Sequence, residues 1–304
     1  MRLDKLRLPP LHCSLEAALG DYYQDFSPIL KLIESGYHGG LDSDGVPVVH
    51  HKMCGMHYSA VTTAQYALAN ITAIRRGDDS RTERAHTLVE WLVSAQERSG
   101  ELAGCWATTY DNSKYPWLVA PWTSALASGN AMSALLRGWE LFGDIRYRLA
   151  AGRAYDALHI PRTTMRLCEQ TPEELWYEEY PAEPPLRVLN GHVYALLGVA
   201  DWARCSGDPE ADRRWRSAAA TLLTHLGSFD LGYWSVYDLR FREPVSRHYQ
   251  RNIHIPQLRV LAALTGEPEF GRVADRWERR VDRLPSAARL AIATRVHAWT
   301  RSSR

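Results

Sequence analysis

The segment LFGDIRY (residues 141–147) closes one amphipathic stretch and opens the next. Gly143 has the backbone freedom that ends a helix, and Asp144 brings the negative charge that a helix N-terminus favours. The same punctuation recurs as RRGDDSR around Gly77, CSGDPEA around Gly207 and LTGEPEF around Gly266. The four glycines are separated by 66, 64 and 59 residues. That period fits two helices plus a connection, although the sequence between the marks is too divergent for a formal repeat. Helical periodicity fills the intervals. Residues 59–75, SAVTTAQYALANITAIR, are apolar at 61, 64, 66–68, 71 and 74, and similar patterns run through about 80–97, 124–142, 146–158, 191–205, 210–226, 256–265, 269–281 and 286–299. Strand signals are sparse. The clearest, FDLGYWSVYDLRF at 229–241, predicts a β-hairpin about its glycine.

Repeated helix pairs without a domain-scale linker predict an all-α fold: an (α/α) toroid or incomplete barrel of helical hairpins, one domain over 1–304. The short Gly-Asp turns then lie at one end. At the other lie the long segments 36–57, 100–123, 159–190 and 227–255, rich in His, Tyr, Trp, Gly and Pro. Loops of that length in a compact domain usually carry function.

Thirty-six basic and 35 acidic residues leave a net charge of +1, so no overall field draws nucleic acid or a membrane. Eleven Trp and fifteen Tyr against five Phe suit a lined cleft, since these rings combine apolar faces with a polar handle. Five scattered cysteines (13, 54, 105, 168, 205) form no CxxC pair, which points to a reducing compartment. The N-terminal stretch MRLDKLRLPPLHCSLEAALG is broken by charge and proline and does not read as a signal peptide or anchor. The expectation is a cytoplasmic protein without membrane insertion, compatible with a homodimer.

The first long segment holds His50, His51, Cys54 and His57. Four such ligands suit zinc, but their spacing fits neither a finger nor HExxH and no carboxylate sits among them. A packed loop, with no metal, is expected. The second segment places Trp106, Tyr110, Tyr115, Trp117 and Trp122 around Asp111, Asn112 and Lys114. That mixture suits a sugar ring, with faces for stacking and polar edges for hydroxyls, or equally the packed rim of a helical barrel. The third, ELWYEEYPAEPPLRVLNGH (174–192), sets Glu179 and Tyr180 on a proline-stiffened loop before a helix at Asn190-Gly191. The fourth supplies Tyr237, Asp238, Arg240, Arg247, Tyr249 and His254. Tyrosine, with an ordinary pKa of about 10, becomes an acid or base when shielded beside an arginine. Tyr and Arg without a Ser-His-Asp set, a phosphate loop or a nucleophilic Cys argue against acyl or phosphoryl transfer. They fit proton abstraction next to a carboxylate.

Several stretches resemble one family. EEYPAEPPLRVLNGHVYALLGVADW (178–202), VYDLRF (236–241) and HYQRNIHIPQL (248–258) are similar to the C-terminal domain of the D-glucuronyl C5-epimerases of heparan sulfate and heparosan. HYSAVTTAQYALANI (57–71) and YPWLVAPWTSALASGNAMSALLR (115–137) extend the likeness to roughly 20–280. The resemblance implies an (α/α) toroid that inverts carbon 5 of a hexuronate, with no metal or redox cofactor. It implies catalytic roles for Tyr180, Tyr237 and Tyr249, supporting polar roles for Glu179 and Asn190, and a carboxylate-binding Arg240 where charge accumulates. Arg247, His254, Trp106, Tyr110 and Trp122 complete the expected substrate contacts. The chain departs from the family pattern at Gln250, where His is usual, and at Ser246-Arg247-His248, where an arginine is shifted. The β-rich portion and membrane anchor of larger members are expected to be absent. Three functions stay open: an epimerase acting on a uronate in a glycan, the same cleft turned to a small carboxylate as isomerase, lyase or cyclase, and a non-catalytic glycan-binding module.

Overall fold

The computed structural model describes residues 7–10, 19–36, 39–51, 54–162, 165–284, 286 and 289–290. The helical pattern expected over 286–299 falls mostly outside them, as does Cys13. The fold is mostly α. After a short helix α1 (Ser27–Glu34) come α2 (Ala60–Arg75), α3 (Thr82–Ser94), α4 (Ala125–Phe142), α5 (Ile145–His159), α6 (Leu189–Ser206) and α7 (Pro209–His225). A single turn, α8 (Arg247–Tyr249), passes through a π-helical turn (Gln250–His254) into α9 (Ile255–Thr265), and α10 (Pro268–Val281) follows. α1 is the helix that the periodicity reading did not include.

The Gly-acid turns do what their chemistry predicts. Gly143, Gly207 and Gly266 end α4, α6 and α9 in the left-handed region. Asp144 and Asp208 then cap α5 and α7, accepting from Arg146 N–H at 2.8 Å and Glu210 N–H at 2.9 Å. Glu267 makes no such bond; its longer side chain is a poor fit for the cap geometry.

The helices form two layers. α4 and α6 are buried nearly all round, whereas α3, α5 and α7 bury one face each. α2, α4 and α6 neighbour one another in turn, and each pairs with the helix that follows it in sequence. α4 and α6 touch backbone to backbone. A Cβ on Gly129 would lie 2.3 Å from Tyr194 O, and one on Gly198 would lie 2.5 Å from Gly129 O. At the C-terminal ends of these two helices Arg137 and Asp201 form a fully buried pair at 2.6 Å. Residues 19–26 pack across it, with Tyr23 Oη donating to Asp201 at 2.7 Å and Arg137 Nε donating to Gly20 O at 3.1 Å.

The expected hairpin at 229–241 is cut down to a tight turn about Gly232, without extended strands. There Asp230 bridges Ser235 antiparallel, Leu231 N–H donates to Trp234 O at 2.8 Å and Val236 N–H donates to Phe229 O at 3.0 Å. Two short antiparallel pairs stand elsewhere, β1 (Val48–His51) with β2 (Gly55–Tyr58) and β3 (Cys168–Gln170) with β4 (Leu175–Tyr177). Beyond that turn other partners take over. Tyr237 N–H donates to Glu243 O at 2.8 Å, Tyr237 O accepts from Leu189 N–H, and Asp230 is drawn to Arg276 and Arg280 on α10. Only isolated bridges remain there. Among the described residues no helix is long and apolar enough to cross a membrane.

Candidate active site

The N-terminal ends of α2, α4 and α6 meet the long segments at one end of the molecule. Ser59 and Ser124, the N-caps of α2 and α4, line a cleft of about 160 Å³ together with Trp106, Tyr110, Trp122, Glu179 and Tyr180. The aromatic segment 106–122 and the Glu179-Tyr180 loop, far apart in sequence, therefore face one space.

Behind the cleft stands a cluster of phenols. Tyr237 Oη donates to Glu179 Oε1 at 2.9 Å and lies 3.2 Å from Tyr180 Oη. Tyr249 meets Tyr237 edge to face, ring centroids 5.8 Å apart. Tyr115 and Trp122 wall Tyr180 at 5.1 and 5.6 Å. Burial holds Tyr180, Tyr237 and Tyr249 well above the ordinary tyrosine pKa, and the nearby Glu179 carboxylate pushes each the same way. Burial also raises Glu179, to about 7, against the opposing pull of the Tyr180 and Tyr237 hydroxyls, the Lys114 charge and the Asn190 side chain. Glu179 Oε2 and Asn190 Oδ1 are buried without hydrogen-bond partners among the described residues. Two unfilled acceptors beside a cleft leave capacity for a ligand's donors.

The loop around Tyr180 is fixed from both ends. Glu178 N–H donates to Leu167 O at 2.9 Å, and its carbonyl accepts from Ala125 N–H at the start of α4. Arg187 turns left-handed, with φ of 53°, so that its N–H points back to both oxygens of the Glu178 carboxylate at 3.1 and 3.2 Å. Glu179 then packs on Gly191, where a Cβ would lie 2.3 Å from its own Cβ. The Asn-Gly at the start of α6 is thus a matter of space: the helix must approach the acid closely.

Tyr249 is set by the turn that follows it. Pro256 has no N–H for the carbonyl of Asn252, and Gln24 Nε2 donates to that carbonyl instead. Gln250 is fully buried, and its amide oxygen accepts from both Ser235 N–H and Ser235 Oγ at 3.1 Å. It ties the Tyr237 segment to the Tyr249 helix. His254 Nδ1 is 3.0 Å from Ser235 Oγ, its ring stands edge-on to Tyr249, and burial lowers it to about 3, so it is neutral.

A family model described as "D-glucuronyl C5-epimerase C-terminus" matches residues 101–279, more than half of the chain. The chain belongs to this epimerase family. Among relatives, it is 26% identical over 230 residues to the D-glucuronyl C5-epimerase of Caenorhabditis elegans, a match covering 68% of this chain and 37% of that protein. It is 28% identical over 206 residues to an uncharacterised protein of Methanocaldococcus jannaschii, covering 64% of this chain and 66% of the relative. The match thus spans little more than a third of the nematode epimerase's length. The phenol cluster, Glu179 and Asn190 all fall within the span matched by the epimerase-family model.

Not every expected residue reaches the cluster. Arg240 is exposed at the rim. Its guanidinium donates to Pro184 O at 2.8 Å and lies over the rings of Trp117 and Phe241. Arg247 pairs with Asp282 on the surface. Trp106 is buried, with Nε1 donating to Leu92 O at 2.9 Å. Tyr110 packs against His51 and His57 of the β1–β2 pair. His57 Nε2 is 2.7 Å from Cys54 O, and no group of three or more His, Cys, Asp or Glu among the described residues is placed to hold a metal. Cys54, Cys105, Cys168 and Cys205 are free thiols.

Sequence reasoning missed the roles of Glu178 and Gln250. Glu178 was visible beside Glu179, and neighbouring residues of an extended segment face opposite sides; the second carboxylate had to serve something other than the cleft. Gln250 stood out only as a departure from the family pattern.

Proposed function

We propose that this chain inverts carbon 5 of a hexuronate residue by removing a proton alpha to the carboxylate and returning one to the opposite face. The observation that carries the reading is the hydrogen-bonded run Glu179–Tyr237–Tyr180 beside an aromatic cleft. A phenol held neutral cannot take a carbon-bound proton unless it gives up its own. Tyr237 has an acceptor for that proton in Glu179, whose raised pKa brings it near half-ionisation at neutral pH.

The step balances. The C5–H bond breaks, its electron pair enters the carboxylate as an enediolate, and the proton passes to Tyr237 as the Tyr237 proton moves to Glu179. A second phenol, Tyr180 or Tyr249, then gives its proton to carbon 5 from the other face. The proton held on Glu179 returns through Tyr237 and resets the donor. No oxidant or reductant enters. The exposed Trp117 and Arg240 at the rim suit the flanking part of an anionic glycan, which favours a polymer over a small carboxylate.

The test is incubation in heavy water with a glucuronate-containing oligosaccharide. Deuterium at carbon 5 with appearance of the C5 epimer supports the reading. Absence of both sinks it, and ultraviolet absorbance from an unsaturated uronate would make the enzyme a lyase instead.

A further inference from the structure

Removal of a C5 proton puts a second negative charge on the substrate's carboxylate oxygens, so a cation is needed at the phenols and not only at the rim. Lys114 is the cation found there. Its Nζ lies 3.9 Å from the ring centre of Tyr237 and 5.4 Å from that of Tyr115. Its backbone is fixed by Asn112 Oδ1, which accepts from the N–H groups of Lys114 and Tyr115 at 2.9 and 3.0 Å. The side chain is still 31% exposed, so the ammonium is open to a ligand entering beside the phenols. It already holds one carboxylate, that of Glu243 at 3.1 Å, and an ammonium has three donors to share.

We propose that Lys114 grips the substrate carboxylate at the phenol cluster and so makes the site select a uronate over the corresponding neutral sugar. This rests on the epimerase reading above. Arg240, held outward on Pro184 O and the Trp117 and Phe241 rings, serves the mouth of the cleft; Lys114 serves the reacting residue. The cation–π contact keeps the ammonium over the ring whose hydroxyl is bonded to Glu179. The charge that helps the carboxylate is therefore fixed to the same group that handles the proton.

The experiment is calorimetric binding of a glucuronate-terminated oligosaccharide and of its carboxyl-reduced counterpart. It compares wild type, Lys114→Gln, Lys114→Arg and Glu243→Gln, each checked for native near-ultraviolet dichroism. Wild type is expected to prefer the acid by roughly 10–100-fold, the value of a hydrogen bond between charged groups. Lys114→Gln should bring the ratio close to one, and Lys114→Arg should keep most of it. Glu243→Gln breaks the same ion pair but leaves the ammonium, so the preference should persist or grow. An unchanged ratio in Lys114→Gln overturns the assignment to Lys114 alone, as does an equal collapse in Glu243→Gln, which would mean that the pair merely braces the loops. A wild type that binds acid and neutral sugar alike overturns the assignment, whereas the epimerase reading falls only if C5 exchange in heavy water is absent.

Discussion

Glu178 and Glu179 are adjacent, both buried and both raised in pKa, yet they face different neighbours. Glu179 faces the phenols, and its ionisation should appear in the pH profile. The exchange rate is expected to fall as pH drops through about 7 and Glu179 takes up its proton. Glu179→Gln should remove that limb together with most of the activity, and a profile unchanged in Glu179→Gln would refute the relay. Phenylalanine at 180, 237 or 249 should cut C5 exchange by roughly 10²–10⁴-fold with the fold retained, the usual worth of a positioned acid or base. Full exchange in all three variants would remove the phenols from the reaction. Glu178, raised to about 8 by burial, makes a stability prediction instead. The folded protein keeps a proton that the unfolded chain releases above the ordinary value of 4.5. Its contribution is therefore full below that pH and is lost as pH rises through about 8. Glu178→Gln cannot ionise, so its melting temperature should fall less than wild type's between pH 5 and pH 9; parallel curves would refute this.

At the scale of elements, the Gly-Asp turns were readable because a left-handed residue followed by a capping carboxylate is a local requirement. Helices α2 to α7 accordingly lie close to where the periodicity placed them. The hairpin at 229–241 was readable only at its turn about Gly232: strand-forming residues are common to paired strands and to extended segments claimed by other partners, here Leu189 and Glu243. The site was legible as residue types on three long segments, and the family likeness picked out the tyrosines. The direction taken by Arg240 was not legible, because it depends on Pro184 O and two rings brought near only by folding. The contact between α4 and α6 carries its own prediction. Gly129→Ala would place a methyl 2.3 Å from Tyr194 O, and backbone cannot step aside as a side chain can. Destabilisation of roughly 1–3 kcal/mol or more is expected in urea unfolding. A variant as stable as wild type would mean that the two helices are not in contact there.

Taken whole, the molecule has a site at one end and a clamp at the other. Arg137 and Asp201 join the far ends of α4 and α6 and gather residues 19–26 over them. Arg137→Met leaves Asp201 buried without its main partner, and a loss of about 3–5 kcal/mol is expected by thermal or urea unfolding. Little change would show that the pair bears no load. The packing of α2 and α4 has another outcome. Ser59 and Ser124 place the N-terminal ends of α2 and α4 at the cleft, so both helices present their positive dipole ends to whatever enters it. A protein of net charge +1 has almost no monopole with which to attract a polyanion from a distance. Two helix N-termini at the cleft still favour negative charge there, within about one turn, so the pull on an anion comes from the cleft itself and not from the molecule at large.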